Sequence, residues 1–132
     1  MSNESNKQLV RDTWGAVTAG DVAGFLARLA DDVTWTFFGS HRFAGTIRGK
    51  DELLSKLFAP LGEILVGGIS VEIDTLTAEG DRVVMEARGA AQTKQGQPYN
   101  NQYCIVITVR DGKIAAVREY LDSELVTAVF GK

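Results

Sequence analysis

The stretch RVVMEARGAAQTKQGQPYNNQYCIVITVRDGKIAAVREYL, residues 82–121, decides the fold. Apolar and polar residues alternate along most of it, the period of a half-buried β-strand. The alternation breaks at Gln95-Gly96-Gln97-Pro98 and at Asp111-Gly112, residues that favour turns. Upstream, Ile69–Thr77 alternates in the same way and is closed off by Glu79-Gly80-Asp81. The pattern predicts four consecutive antiparallel strands, about Ile69–Thr77, Arg82–Thr93, Tyr99–Arg110 and Lys113–Leu121. The middle two are long enough to curve strongly.

Toward the N-terminus the period changes to that of helices. Ser5 and Gln8 have capping-box spacing, and Val10, Trp14 and Val17 follow on one face of a helix that should stop at Gly20. Asp21 is placed to cap a second helix bearing Val22, Phe25, Leu26 and Leu29. Val33–Phe38 is β-branched and aromatic and reads as a strand, and Gly39–Gly49 as a loop. A third helix carries Leu54, Leu57, Phe58 and Leu61, with Pro60 expected to bend or end it near Ala59. Three helices followed by a meander make an α+β fold, with the helices packed on one face of a sheet.

A chain of 132 residues is the size of one domain, 1–132, and 45% hydrophobic residues suffice for a core. One histidine, His41, and one cysteine, Cys104, cannot build the multi-ligand clusters of most metal sites. No metal is expected, and without a glycine-rich nucleotide motif no cofactor either. A net charge of −3 with scattered basic residues gives no footprint for nucleic acid. No apolar run reaches the roughly 20 residues that span a bilayer. With a polar N-terminus and an unpaired cysteine, a cytoplasmic protein that keeps away from membranes is expected.

Chemistry must then come from carboxylates, arginines and tyrosines. On the last strand Ala115, Val117, Glu119 and Leu121 share a face, so Glu119 stands among apolar neighbours. Arg88 lies in a row with Val84 and Glu86, and Tyr103 in a row with Asn101, Ile105 and Ile107. If these rows face the helices, they enclose an apolar cavity holding a carboxylate, a guanidinium and a phenol. If they face water, Glu86, Arg88 and Glu119 form a cross-strand ladder of ion pairs. Periodicity leaves both placements open.

Several short elements in order resemble one family. They are Ala19-Gly20-Asp21, Leu29-Ala30-Asp31-Asp32-Val33-Thr34-Trp35, Gly45-Thr46-Ile47-Arg48-Gly49-Lys50-Asp51, Asp111-Gly112-Lys113-Ile114, and Arg118-Glu119-Tyr120-Leu121-Asp122. Across nearly the whole chain the sequence resembles the SnoaL-like, ketosteroid-isomerase-like branch of the nuclear transport factor 2-like superfamily. That resemblance implies a cone: three N-terminal helices in the concave face of a curved, mainly antiparallel sheet, pairing as a homodimer through its outer face. It also implies that Glu119 faces an apolar pocket.

The family's catalytic residues carry over unevenly. Phe37 stands where ketosteroid isomerases have their aspartate base, Thr13 at their oxyanion tyrosine, and Ile105 near their protonated aspartate. Limonene-epoxide hydrolases would supply an arginine and a carboxylate matched by Arg88 and Glu119, but Ala90 replaces their other aspartate. Phenazine-biosynthesis members share the Arg-Glu-aromatic ending, their glutamate being an acid/base, while their helix histidine has no counterpart. The expected enzyme is therefore cofactor-independent. Glu119 is its acid/base on a carbonyl or polyketide-like compound, Arg88 and Tyr103 assist, and Trp35, Phe37, Leu26, Phe58, Asn101, Ile105, Val117 and His41 bind the small apolar molecule. The competing expectation is a non-catalytic binding or scaffold protein.

Other residues have plainer readings. His41 either carries protons at the pocket mouth or, the favoured reading, lies exposed in its loop. Cys104 reads as a packed or interface residue, Asp122 as a helix cap, and Trp14 as core.

Overall fold

The computed structural model describes residues 2–132. Helix α1 spans Asn3–Ala19 and begins at Ser2, whose hydroxyl accepts the Ser5 N–H while the Ser5 hydroxyl accepts the Ser2 N–H. The capping box is thus Ser2–Ser5, three residues before the expected pair, because serine at the third helical position closes it as well as glutamine would. Gly20 ends the helix in the left-handed region, φ 72°. Asp21 then caps α2 (Val22–Ala27) through the Gly24 N–H.

Strand β1 runs from Leu29 to Phe37, starting earlier than the threonine-rich alternation suggested. The expected loop after it contains a short edge strand, β2 (Gly45–Arg48), pairing antiparallel with β1 and burying Ile47. Four residues with one apolar side chain are too short a signal to read as a strand from sequence.

The third helical region bends without ending. It is α3 (Gly49–Leu53), a π-helical segment Leu54–Phe58 and α4 (Ala59–Ile64). Pro60 cannot donate the bond an α-helix expects, and its ring crowds the carbonyl four residues back. The wider turn absorbs this: the Ala59 N–H reaches the Leu54 carbonyl, five residues earlier.

Strands β3 (Ser70–Glu79), β4 (Arg82–Ala90), β5 (Gln102–Arg110) and β6 (Lys113–Leu121) form the expected antiparallel meander. β1 joins β6 in parallel, giving one six-stranded sheet of order β2-β1-β6-β5-β4-β3. β4 and β5 are shorter than their alternation suggested, since Ala91–Asn101 peels away and holds only isolated bridges, Gln92 to Pro98 and Thr93 to Leu65. The C-terminal helix α5 (Ser123–Phe130) is capped by Asp122, which accepts from Glu124 and Leu125 N–H groups. The fold is the α+β cone expected, with its core between the helices and the inner sheet face.

Two bulges set which side chains point inward. In β6, Val109 opposes Ile114 but Thr108 opposes Ala116, leaving Ala115 as the extra residue. Ile114 and Val117 are therefore both fully buried despite their odd spacing. In β3 the extra residue is Asp74, between Ile73 and Thr75.

Candidate functional site

The bulge at Ala115 makes Glu119 oppose Ile105 on β5, while Phe37 lies beside it on β1. All three side chains point to the concave face. An unbulged continuation of the Arg110–Lys113 pairing would set Glu119 against Cys104, on the outer face. Glu119 is 7% exposed and lines a cavity of about 100 Å³ walled chiefly by Trp14, Trp35, Phe37, Phe58, Tyr103 and Ile105.

Burial drives the electrostatics here. Losing water disfavours the carboxylate and pushes the Glu119 pKa up to about 7, although the Trp35 indole N–H, donating to Oε1 at 3.1 Å, opposes the rise. One oxygen is thus held in place, and the other, Oε2, has no hydrogen-bond partner among the described residues. Tyr103 opposes Leu121 in the next inward-facing pair of the same two strands, and burial raises its phenol further above the usual range, keeping it a hydrogen-bond donor. Gly89 makes room for this ring: a Cβ there would sit 2.8 Å from Tyr103 Cε2.

The structure separates Arg88 from this group. Met85 opposes Ile105, which opposes Glu119, so Met85 shares the inner face and Arg88, three residues on, points outward. Its guanidinium chelates Asp74 (2.8 Å through Nη2) and reaches Glu72 at 3.4 Å. Glu86 on that face accepts from the Thr75 hydroxyl. The water-facing placement therefore holds for Glu86 and Arg88, but the expected ladder does not form: Arg88 pairs with Asp74 and Glu72 on β3, Glu86 has no ion pair among the described residues, and Glu119 lines the cavity instead. Arg88 has no part in the cavity.

Of the eight predicted binding positions, Trp35, Phe37, Phe58, Ile105 and His41 line the cavity. Leu26 packs on the core, and Val117 is sealed beneath it at 0% exposure, so neither reaches the space. Asn101 is a structural clip. Its Nδ2 donates to the Tyr99 hydroxyl and the Asp122 carbonyl, and its Oδ1 accepts from the Gln102 and Asp122 N–H groups. Every polar atom of that amide is used inside the fold.

His41 departs from the exposed loop expected for it. It is 7% exposed, stacked edge-on to Phe37, with Nδ1 accepting the Phe43 N–H and Nε2 bound to the Phe38 carbonyl. With both nitrogens occupied by the backbone, it shapes the 39–44 loop rather than carrying protons. Sequence reasoning also passed over Tyr99, Phe43 and Phe130, which line the cavity from the irregular segments and α5. Their spacing carries no periodic signal. Cys104 is exposed on the outer face, clear of the cavity.

The SnoaL-like domain model matches residues 10–117, from the middle of α1 into β6. The chain belongs to the SnoaL-like domain family. An uncharacterised protein of Mycobacterium tuberculosis is 26% identical over 98% of both chains. Among solved structures, an NTF2-like protein from Burkholderia thailandensis is 28% identical, covers 98% of each chain and superposes with a TM-score of 0.84. A limonene-epoxide-hydrolase-like epoxide hydrolase from M. tuberculosis shares the fold at 22% identity and TM-score 0.75, covering 97% of this SnoaL-like chain and 93% of its own. No helix of the described residues is long and apolar enough to cross a membrane.

Proposed function

We propose that this SnoaL-like protein is a cofactor-independent enzyme in which Glu119 moves a proton on a small hydrophobic carbonyl compound. The observation that carries the reading is a buried carboxyl with Oε1 pinned by Trp35 and Oε2 facing an apolar cavity. A pKa of about 7 lets the group take and return protons at neutral pH, which general acid/base work requires. Tyr103, a donor on the same face, would hold the carbonyl oxygen as negative charge develops on it. An epoxide-opening mechanism has less support, because Arg88 lies outside the cavity and Ala90 offers no second carboxylate.

The test is deuterium uptake by a small enolisable ketone, followed by NMR. Acting as base, Glu119 makes the rate rise with pH through about 7. Glu119→Gln should lower it by roughly 10²- to 10⁴-fold, the usual range for a lost general base. Undiminished exchange by that variant would remove the proposal.

The second reading, a binding protein without catalysis, draws support from the absence of another charged side chain among the cavity walls. It predicts ketone binding with no exchange. In either case we propose a cytoplasmic homodimer paired through the outer sheet face, where Phe38 and Tyr120 stack at 4.5 Å and are each 40% exposed.

A further inference from the structure

A second apolar space adjoins the cavity across its helical wall. Val17, Phe58, Leu61 and Ile69 line the cavity, and the same four residues line a groove of about 290 Å³ bounded by the end of α1, α4 and the Gly67-Gly68 loop. The two spaces differ in size and chemistry. At about 100 Å³ the inner cavity is smaller than the ~150 Å³ that holds a benzene molecule in an apolar protein core. Whatever puts a carbonyl beside Glu119 and extends past a few carbons must continue outward. The groove offers it apolar side chains and glycines. Asp21 is its one charged side chain, and that carboxylate is already engaged as the cap of α2, accepting the Gly24 N–H at 2.9 Å.

We propose that the groove is a subsite for the unbranched apolar tail of the ligand, and that the protein therefore selects medium-chain ketones or acyl compounds over single-ring ones. Phe58 and Leu61, on either side of the junction between the π-helical segment and α4, form the partition between head and tail. The inference rests on Glu119 being the head-group site.

Calorimetric titration with 2-alkanones from 2-butanone to 2-nonanone at pH 6 tests it. Once the chain outgrows the cavity, each methylene placed in the groove should tighten binding about fourfold, the value of one buried CH₂. Gly62 on α4 supplies the control. It is exposed, and a Cβ there would meet nothing within 4 Å, so a larger side chain fills the groove without disturbing the helix. Gly62→Leu should flatten the chain-length gain, and Gly62→Ala, which adds only a methyl, should keep most of it. An equal gain in wild type and Gly62→Leu overturns the subsite. So does 2-butanone binding with no gain along the series. If no ketone of any length binds, the reading of Glu119 fails and the subsite with it.

Discussion

Glu119 and Arg88 are charged residues in rows of apolar neighbours on neighbouring stretches of one sheet, and they have opposite fates. Glu119 faces inward, buried, with one hydrogen bond and no opposite charge. Arg88 faces outward, its side chain 55% exposed, held by two carboxylates. Pairing in water satisfies a charge at little gain, whereas isolation in an apolar space leaves its protonation state poised. What separates a paired, exposed charge from an unpaired, buried one here is the parity of its position, which register alone sets.

The largest expected effect of breaking this contrast falls on stability. Glu119 keeps its proton in the folded state up to about pH 7, while in the unfolded chain it ionises near 4.5. It therefore exerts no penalty below about pH 4.5, destabilises increasingly between 4.5 and 7, and reaches its full penalty above 7. Chemical denaturation at pH 8.5 should find Glu119→Gln more stable than wild type by roughly 3 kcal/mol, with the gap closing by pH 4. Equal stability at both values would show that the carboxyl is solvated. Next in size, Tyr103→Phe should slow ketone exchange about tenfold, the worth of one neutral hydrogen bond near the upper end of its range. Smallest is Arg88→Ala, expected to leave exchange at the wild-type rate under the same assay. A large loss from that variant would put the outer face back into the chemistry.

The elements of the fold were legible because their periodicities are long and clean: the 3.6-residue stripe of α1, the alternation of β3 to β6, and the turns at Gly80 and Asp111-Gly112. The facing of the site was only half legible. Ile114 and Val117, both apolar and an odd number apart, are the trace that the bulge at Ala115 leaves in the sequence, and the alternation reading skipped Ile114. For Arg88, alternation gives two faces but does not say which is inner, because that follows from its pairing with Gln102 across a long irregular hairpin. His41 misled for a different reason. A histidine between Ser40 and Arg42 looks solvated, and its burial depends on backbone groups of Phe38 and Phe43 that no side-chain pattern announces.

The chain has two tryptophans, and both border the same cavity, their rings 5.8 Å apart and tilted by 42°. One of them donates its indole hydrogen to the carboxyl proposed to react. The protein's tryptophan emission therefore originates entirely at the cavity wall, and ionisation of Glu119 should shift it. A pH titration of tryptophan fluorescence should show a step near 7 that is absent from Glu119→Gln, giving a label-free optical gauge of the proton that the chemistry would use.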